Sequence, residues 1–189
     1  KHPLPGDDKI FTIERVIIHL GKHPKIVRLK MKKDFQRGTT TDHIASRENE
    51  LLDAQWNKEG TKFAFVSGSR DHKIAHLQIA DTKTGRVESI HKEEVDTYYE
   101  SGVKSENWRV LFKSNEFIWY SEKTNWGHLY LYDLETKKLK NQITSGNWLV
   151  KQLKNIDVIN RQIYFTGGGK EIGNPYHNYL YKVNFDGSN

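Results

Sequence analysis

The sequence predicts an all-β fold: a β-propeller fragment of about three to four four-stranded antiparallel blades. Three observations predict it. Short alternating apolar and polar runs recur along the 189-residue chain, Gly-, Asn- and Asp-containing turns separate them, and the pattern repeats with a period near 50 residues.

The predicted strands are rich in aromatic and β-branched residues, and each is about as long as an ordinary strand. They are Arg15–Leu20, Lys25–Met31, Lys62–Ser69, Lys73–Asp81, Arg86–Ile90, Glu116–Lys123, Gly127–Leu134, Gln162–Gly168 and Tyr179–Phe185. One segment, Arg47–Trp56 (RENELLDAQW), has a helical alternative. Its apolar residues fit one helical face only loosely, so a helix and the start of a strand both stay open.

The repeat is clearest in three hairpin-like segments, HLQIADTKTGRVESI, HLYLYDLETKKLKNQI and NYLYKVNFDGSN. A polar turn follows the first strand of each and opens at Asp81, Asp133 and Asn184, which are 52 and 51 residues apart. Asp and Asn suit this position because their side chains accept hydrogen bonds from backbone amides just downstream. Another strand precedes each hairpin, so the repeating unit is an antiparallel meander. We predict one partial propeller domain, with approximate blades at residues 1–50, 51–105, 106–155 and, incomplete, 156–189.

Neighbouring meanders must stack, because a single sheet cannot bury both of its faces. We expect large apolar side chains to fill the space between blades. They are Phe63, Phe65, Trp119, Leu129, Leu131, Tyr164 and Leu180. Trp119, Trp126 and Trp148 belong to one unit, which favours packing over a carbohydrate-binding surface.

The last unit reaches only its polar turn, so its closing strand is absent from the sequence. We therefore expect the chain to be part of a larger ring, or an arc that pairs with something. Exposed sheet edges favour self-association, which makes a homodimer through open blade edges one of the partners considered.

Composition argues against several classes of protein. The 30 basic and 24 acidic residues give a net charge of +6, but the lysines are scattered and the clusters Lys30–Lys33 and Lys137–Lys140 are interrupted by apolar residues. Solvated surface is the better interpretation, and no nucleic-acid partner is expected. The sequence has no apolar run long enough for a membrane span and no cysteine.

No catalytic, metal-binding or cofactor-binding motif stands out. The sequence lacks the G-x-S-x-G of a serine nucleophile elbow, and Phe165–Gly173 (FTGGGKEIG) lacks the spacing of a phosphate-binding loop. His72 and His76 have a helical metal spacing, but on a strand they would lie roughly 13 Å apart. We expect no catalytic residue, no metal and no cofactor in this chain.

The segment NEFIWYSEKTNWGHLYLYDLETKKLKNQITSGNWLV resembles the propeller of bacterial dipeptidyl peptidase IV proteins, in the prolyl oligopeptidase clan of serine peptidases. The matching elements are Ser121-Glu122, Trp126-Gly127, His128–Asp133, Thr144, Gly146 and Trp148. HPKIVRL, GSRDHKIAHLQIADTKTGRV and GGGKEIGNPYHNYLYKVNFDG are similar to further segments of that family, so the resemblance runs from about His23 to the end of the chain.

The resemblance implies a secreted or periplasmic peptidase that removes dipeptides with Pro or Ala at the second position. Its catalytic residues would lie in a hydrolase domain outside this chain. The chain would then be a noncatalytic propeller portion that gates and positions peptide substrate for that domain. The alternative is a stand-alone propeller scaffold that binds a protein or a glycan.

Two segments are weighed for substrate contact on the same resemblance. Glu93-Glu94 does not have the context of the family's acidic pair, and we interpret it as a solvated turn. Tyr98, Tyr99 and Glu100 lie where family members place residues near the inner chamber, so they are the candidate substrate-side residues, against the plainer interpretation of a connection between blades.

Overall fold

The computed structural model describes residues 4, 6–35, 54–99 and 107–188, with Phe35 described by its backbone alone. Within these ranges the chain contains fifteen strands and no α-helix, so the all-β prediction is confirmed. The chain divides into two compact units, Lys1–Tyr99 and Glu100–Asn189.

The first unit contains eight strands in three antiparallel sheets. They are β1 (Thr12–Ile13), β2 (Val16–His19), β3 (Lys25–Arg28), β4 (Asp34–Phe35), β5 (Ala54–Trp56), β6 (Lys62–Gly68), β7 (Ile74–Asp81) and β8 (Val87–Glu94). Strands β5 to β8 form a four-stranded meander, while β1 pairs with β4 and β2 pairs with β3. Of the segment with a helical alternative, Ala54–Trp56 is strand, and its earlier residues lie outside the described ranges.

A small apolar core joins the β2–β3 hairpin to one face of the meander. Ile17, Val27 and Leu29 from the hairpin region pack with Phe65 and Ala80 from the sheet. Phe63 packs against the same core, as expected from the sequence. The hairpin therefore covers one end of the sheet face that carries Phe63 and Phe65.

The second unit contains seven strands in two antiparallel sheets. They are β9 (Arg109–Leu111), β10 (Glu116–Ser121), β11 (His128–Asp133), β12 (Leu139–Gln142), β13 (Leu149–Asp157), β14 (Gln162–Gly168) and β15 (Tyr179–Asn184). Strands β9 to β12 form a four-stranded meander, and β13 to β15 form a three-stranded one.

The two sheets of the second unit enclose one apolar core. Ile118, Leu129 and Leu131 from the four-stranded sheet meet Ile163 and Phe165 from the three-stranded sheet. The predicted core residue Trp119 is also fully buried, but on the opposite face of its sheet, because successive side chains of a strand alternate.

Three predicted packing residues are placed differently by the structure. Leu180 is 68% exposed and Trp126 is 37% exposed, and Tyr164 is only partly buried outside the core. On β14 and β15 the predicted face is wrong by one residue: Ile163, Phe165, Tyr181 and Val183 point inward instead. A one-residue error on a strand exchanges its two faces.

The repeated turns form as the sequence predicts in the first two hairpins. The Asp81 carboxylate accepts hydrogen bonds from the Thr84 amide at 2.7 Å and the Thr84 hydroxyl at 2.6 Å. Asp133 accepts the equivalent pair from Thr136, at 2.7 and 2.9 Å. In the third hairpin it is Asp186, not Asn184, whose carboxylate accepts the bonds from the Ser188 amide and hydroxyl. The limits of the four predicted blades stay a prediction.

No described helix is long and apolar enough to cross a membrane.

Candidate functional site

The candidate substrate-side residues begin at the end of the first unit. Tyr98 is 54% exposed, and its ring stacks on the His72 ring, with 4.8 Å between ring centroids. The Tyr99 amide donates a hydrogen bond of 2.6 Å to the His72 carbonyl. Glu100 lies outside the described residues. The structure thus places both tyrosines beside the β6–β7 turn, and their role stays a prediction.

Several hydrogen bonds hold the β6–β7 turn beside these aromatic rings. The Ser69 hydroxyl oxygen accepts hydrogen bonds from the Lys73 and Ile74 amides at 3.1 and 3.0 Å, and the hydroxyl donates to the Asp71 carboxylate. This hydrogen bond from Ser69, with the Lys73 amide, lowers the pKa of Asp71. His72 adopts a left-handed backbone at φ 58°, and its ring is the one that stacks on Tyr98.

The motif residues His128, Thr144 and Trp148 are buried in the second unit and form a bracket with the exposed Gly146. His128 Nε2 lies 2.9 Å from the Gly146 carbonyl, and Nδ1 lies 3.1 Å from the Thr144 hydroxyl. Because a carbonyl can only accept, Nε2 carries the proton and donates, and Nδ1 accepts from Thr144. Burial lowers the pKa of His128, so the ring stays neutral near pH 7. This residue has a structural hydrogen bond, as expected from the sequence.

Trp148 continues the bracket into the core between the sheets. Its ring meets His128 edge-on at 5.2 Å and stacks on Phe165 at 5.9 Å. Tyr181 packs against the rings of Trp148 and Phe165, and its hydroxyl donates a 3.0 Å hydrogen bond to the Glu171 carboxylate. Burial, followed by the bond to Glu171, raises the pKa of Tyr181 to about 12. The motif residues His128 and Trp148 therefore contribute to packing in the second unit.

A buried carboxylate links the two sheets of the second unit. Glu116, with a side chain only 3% exposed, accepts two hydrogen bonds from the Arg161 guanidinium at 2.9 and 3.0 Å and one from Lys140 at 2.5 Å. The bonds from Arg161, with the one from Lys140, lower the pKa of Glu116 to about 2 despite its burial. The Arg161 guanidinium also lies 4.4 Å above the Phe185 ring.

Sequence reasoning missed this cluster. Glu116 and Arg161 are 45 residues apart: Glu116 begins a predicted strand, and Arg161 lies in a polar turn that looks solvated from the sequence. The available signal was the charge directly before the apolar run FIWY, because a glutamate beside a buried strand needs a cationic partner.

Two segments that the sequence analysis did not assign to a site, Glu93-Glu94 and Phe165–Gly173, lie in strands and in a strand connection. Glu93 and Glu94 lie in strand β8 rather than in a turn, so the predicted turn is wrong there; their side chains alternate across the sheet, and Glu94 pairs with Lys92. Phe165–Gly173 runs from strand β14 into the β14–β15 connection. Among the described residues, no three His, Cys, Asp or Glu side chains converge as metal ligands would.

Comparison with protein families gives one match over the whole chain. The family model of the dipeptidyl peptidase IV (DPP IV) N-terminal region matches residues 1–189. The chain belongs to this family. The resemblance inferred from the sequence is therefore confirmed.

Solved structures of bacterial proteins have the same fold. A protein from Bacteroides ovatus described as a dipeptidyl aminopeptidase IV aligns with a TM-score of 0.57 and 16% identity, over 91% of this chain and 28% of its own. Porphyromonas gingivalis dipeptidyl peptidase 4 aligns with a TM-score of 0.56 and 14% identity, over 94% of this chain and 26% of its own. The predicted propeller-fragment fold is confirmed, and the chain spans about a quarter of each of these proteins.

Proposed function

We propose that this chain is the noncatalytic propeller portion of a DPP IV-like serine exopeptidase, where it gates and positions peptide substrate for a hydrolase domain. The observation that carries the proposal is the match of the DPP IV N-terminal family model to all 189 residues. The hydrolase domain and the peptide substrate are then its functional partners. The same family assignment supports a secreted or periplasmic location.

The site geometry supports a steric and positioning role. The described polar clusters are structural: His128 is held neutral in a bracket, and Glu116 is held charged against Arg161 and Lys140. Exposed groups suited to peptide contact occur at the end of the first unit, where Tyr98 presents its ring above a hydrogen-bonded turn. Tyrosine rings bind peptides well because they offer apolar area with little loss of side-chain entropy.

The proposal is tested by comparing this chain with the full-length protein that carries it. We expect the full-length protein to hydrolyse a Gly-Pro chromogenic dipeptide, and its sequence beyond residue 189 to contain a G-x-S-x-G segment between a strand and a helix. The 189-residue chain alone should show no turnover. Turnover by the purified chain that a serine-directed inhibitor abolishes would contradict the noncatalytic role. A full-length protein without peptidase activity would favour the scaffold alternative.

The substrate-side role of Tyr98 has its own test in the full-length protein. If Tyr98 contacts the peptide, Tyr98→Ala raises KM for an oligopeptide substrate by about threefold to tenfold and leaves kcat within about twofold. Tyr176→Ala is the matched control, because Tyr176 is an 84% exposed tyrosine in the other unit. Equal KM values for the two variants would remove Tyr98 from the substrate path.

A further inference from the structure

The first unit contains an open cleft that the proposed function does not use. It has a volume of about 620 Å³ and lies between the segment Lys30–Asp34 and one half of the β5–β8 sheet face. Its floor includes Ser67, His76 and Gln78. The other half of this face is covered by the β2–β3 hairpin, so the cleft begins where the apolar core ends.

The segment Lys30–Asp34 forms the wall of the cleft, and contacts hold it in place at both ends. At one end the Lys30 amide donates a 2.7 Å hydrogen bond to the Gly85 carbonyl. At the other end Asp34 forms a 2.9 Å ion pair with Arg15, whose guanidinium also donates to the Val66 carbonyl and lies over the Phe65 ring. The wall is therefore held in place before any ligand binds, which lowers the entropic cost of binding.

The floor of the cleft is polar, and one of its buried polar atoms has no hydrogen-bond partner. Ser67 and His76 are cross-strand partners, and the Ser67 hydroxyl donates a 2.9 Å hydrogen bond to Gln78. His76 Nε2 is buried without a hydrogen-bond partner. Since an orphaned N–H costs free energy, the neutral ring is best protonated at Nδ1. Nδ1 then becomes a donor in a residue that lines the cleft.

The charges around the cleft favour an anion. Lys33 pairs with Glu14, Asp34 pairs with Arg15, and Lys92, opposite His76, pairs with Glu94. Lys30 and Lys32 line the cleft, and in the described part of the chain no acidic side chain forms an ion pair with either. The residual charge on the wall is positive, beside a neutral donor on the floor.

We propose that this cleft is a binding site for a compact anion that carries a carboxylate or phosphate group. An anionic oxygen accepts the hydrogen bond from the His76 ring, and Lys30 and Lys32, which line the same cleft, neutralise its charge. The apolar side chains of Met31, Ile74 and Val87 line the same cleft and accommodate the carbon skeleton of an organic anion. This mixture of apolar walls and few polar groups is typical of small-molecule sites.

The test is calorimetric titration of the full-length protein with sodium glutarate, with inorganic phosphate and with the neutral analogue glutaramide, all at constant ionic strength. We expect at least one anion to bind and glutaramide not to bind. Preference for glutarate identifies a carboxylate ligand, and preference for phosphate a phosphorylated one. Absence of binding by both anions, or equal binding of glutaramide, overturns the proposal.

Two variants assign the binding to this cleft. His76→Phe keeps an aromatic ring and removes the donor, so we expect about tenfold weaker binding with undiminished thermal stability. Lys32→Gln removes one exposed charge and should weaken binding about threefold, while Lys62→Gln, an exposed lysine of strand β6 outside the cleft, leaves it unchanged. Wild-type affinity in His76→Phe and Lys32→Gln would place the anion elsewhere and overturn the proposal.

Discussion

At the scale of single residues, the glycine in the sequence DTKTG closes its turn and also touches the neighbouring strand. Gly85 has a left-handed backbone at φ 72°, and its amide donates 2.9 Å to the Asp81 carbonyl. A Cβ at this position would lie 2.3 Å from the Arg28 carbonyl oxygen. The turn therefore needs glycine for two separate reasons, backbone conformation and close approach.

These two reasons can be separated by comparing Gly85→Ala with Gly60→Ala. Gly60 is also left-handed, at φ 66°, but a Cβ there meets nothing within 4 Å. We expect Gly60→Ala to cost about 1–2 kcal/mol from backbone strain alone. Gly85→Ala should cost about 1–3 kcal/mol more, because the β3 backbone must move. Urea unfolding of both variants measures the difference, and equal losses would show that the contact with Arg28 is unimportant.

At the scale of elements, alternation located nine strands but assigned the inward faces of β14 and β15 wrongly. Each of the nine predicted strands overlaps an observed one. Strand β13, with the sequence LVKQLKNID, was not predicted because it is polar and carries two register irregularities against β14. Alternation is lost at such irregularities, so no period of two is visible there. The positions of strands are thus a local property, whereas bulges depend on the partner strand.

The face assignment on β14 and β15 gives a paired prediction. Ile163 is fully buried in the core of the second unit, whereas Leu180, predicted to be in the core, is 68% exposed. Ile163→Ala should destabilise the chain by about 2–5 kcal/mol through lost burial and the cavity left behind. Leu180→Ala should change the free energy of unfolding by about 0.5 kcal/mol or less. Denaturant titrations of the two variants check this, and a large loss in Leu180→Ala would support the original face assignment.

The candidate site shows the same division between local and long-range information. The sequence located His128, Trp148 and Tyr98 because motifs and aromatic runs mark them. It did not indicate that His76 lies on the floor of a cleft. That cleft exists because Lys30 is hydrogen-bonded to Gly85 and Asp34 forms an ion pair with Arg15. Contacts across 19 to 55 residues leave no local pattern to detect.

At the scale of the whole molecule, tryptophan reports on the two units unequally. Trp108, Trp119, Trp126 and Trp148 belong to the second unit, and only Trp56 belongs to the first. The buried Glu116 cluster also lies in the second unit and joins strand β10 to β12 and to the β13–β14 turn. Tryptophan fluorescence therefore follows the unit whose stability depends on this carboxylate.

Glu116 makes the stability of the second unit sensitive to acid. Its pKa falls from 4.5 to about 2 in the folded state, so the unfolded state binds more protons between these values. The stabilisation is complete above about pH 4.5 and is lost as the pH falls toward 2, with a total of about 3 kcal/mol at most. The loss follows because protonation removes the charge that Arg161 and Lys140 bind.

Glu116→Gln tests this by removing the titrating group. At pH 7 we expect it to destabilise the second unit by about 2–3 kcal/mol, since Arg161 and Lys140 lose their anionic partner. Between pH 4.5 and 2, its fluorescence-detected Tm should fall less steeply than that of the wild type. Glu135→Gln is the matched control, an exposed carboxylate in the β11–β12 turn that should leave both quantities unchanged. Parallel acid profiles for the wild type and Glu116→Gln would show that other carboxylates govern acid unfolding.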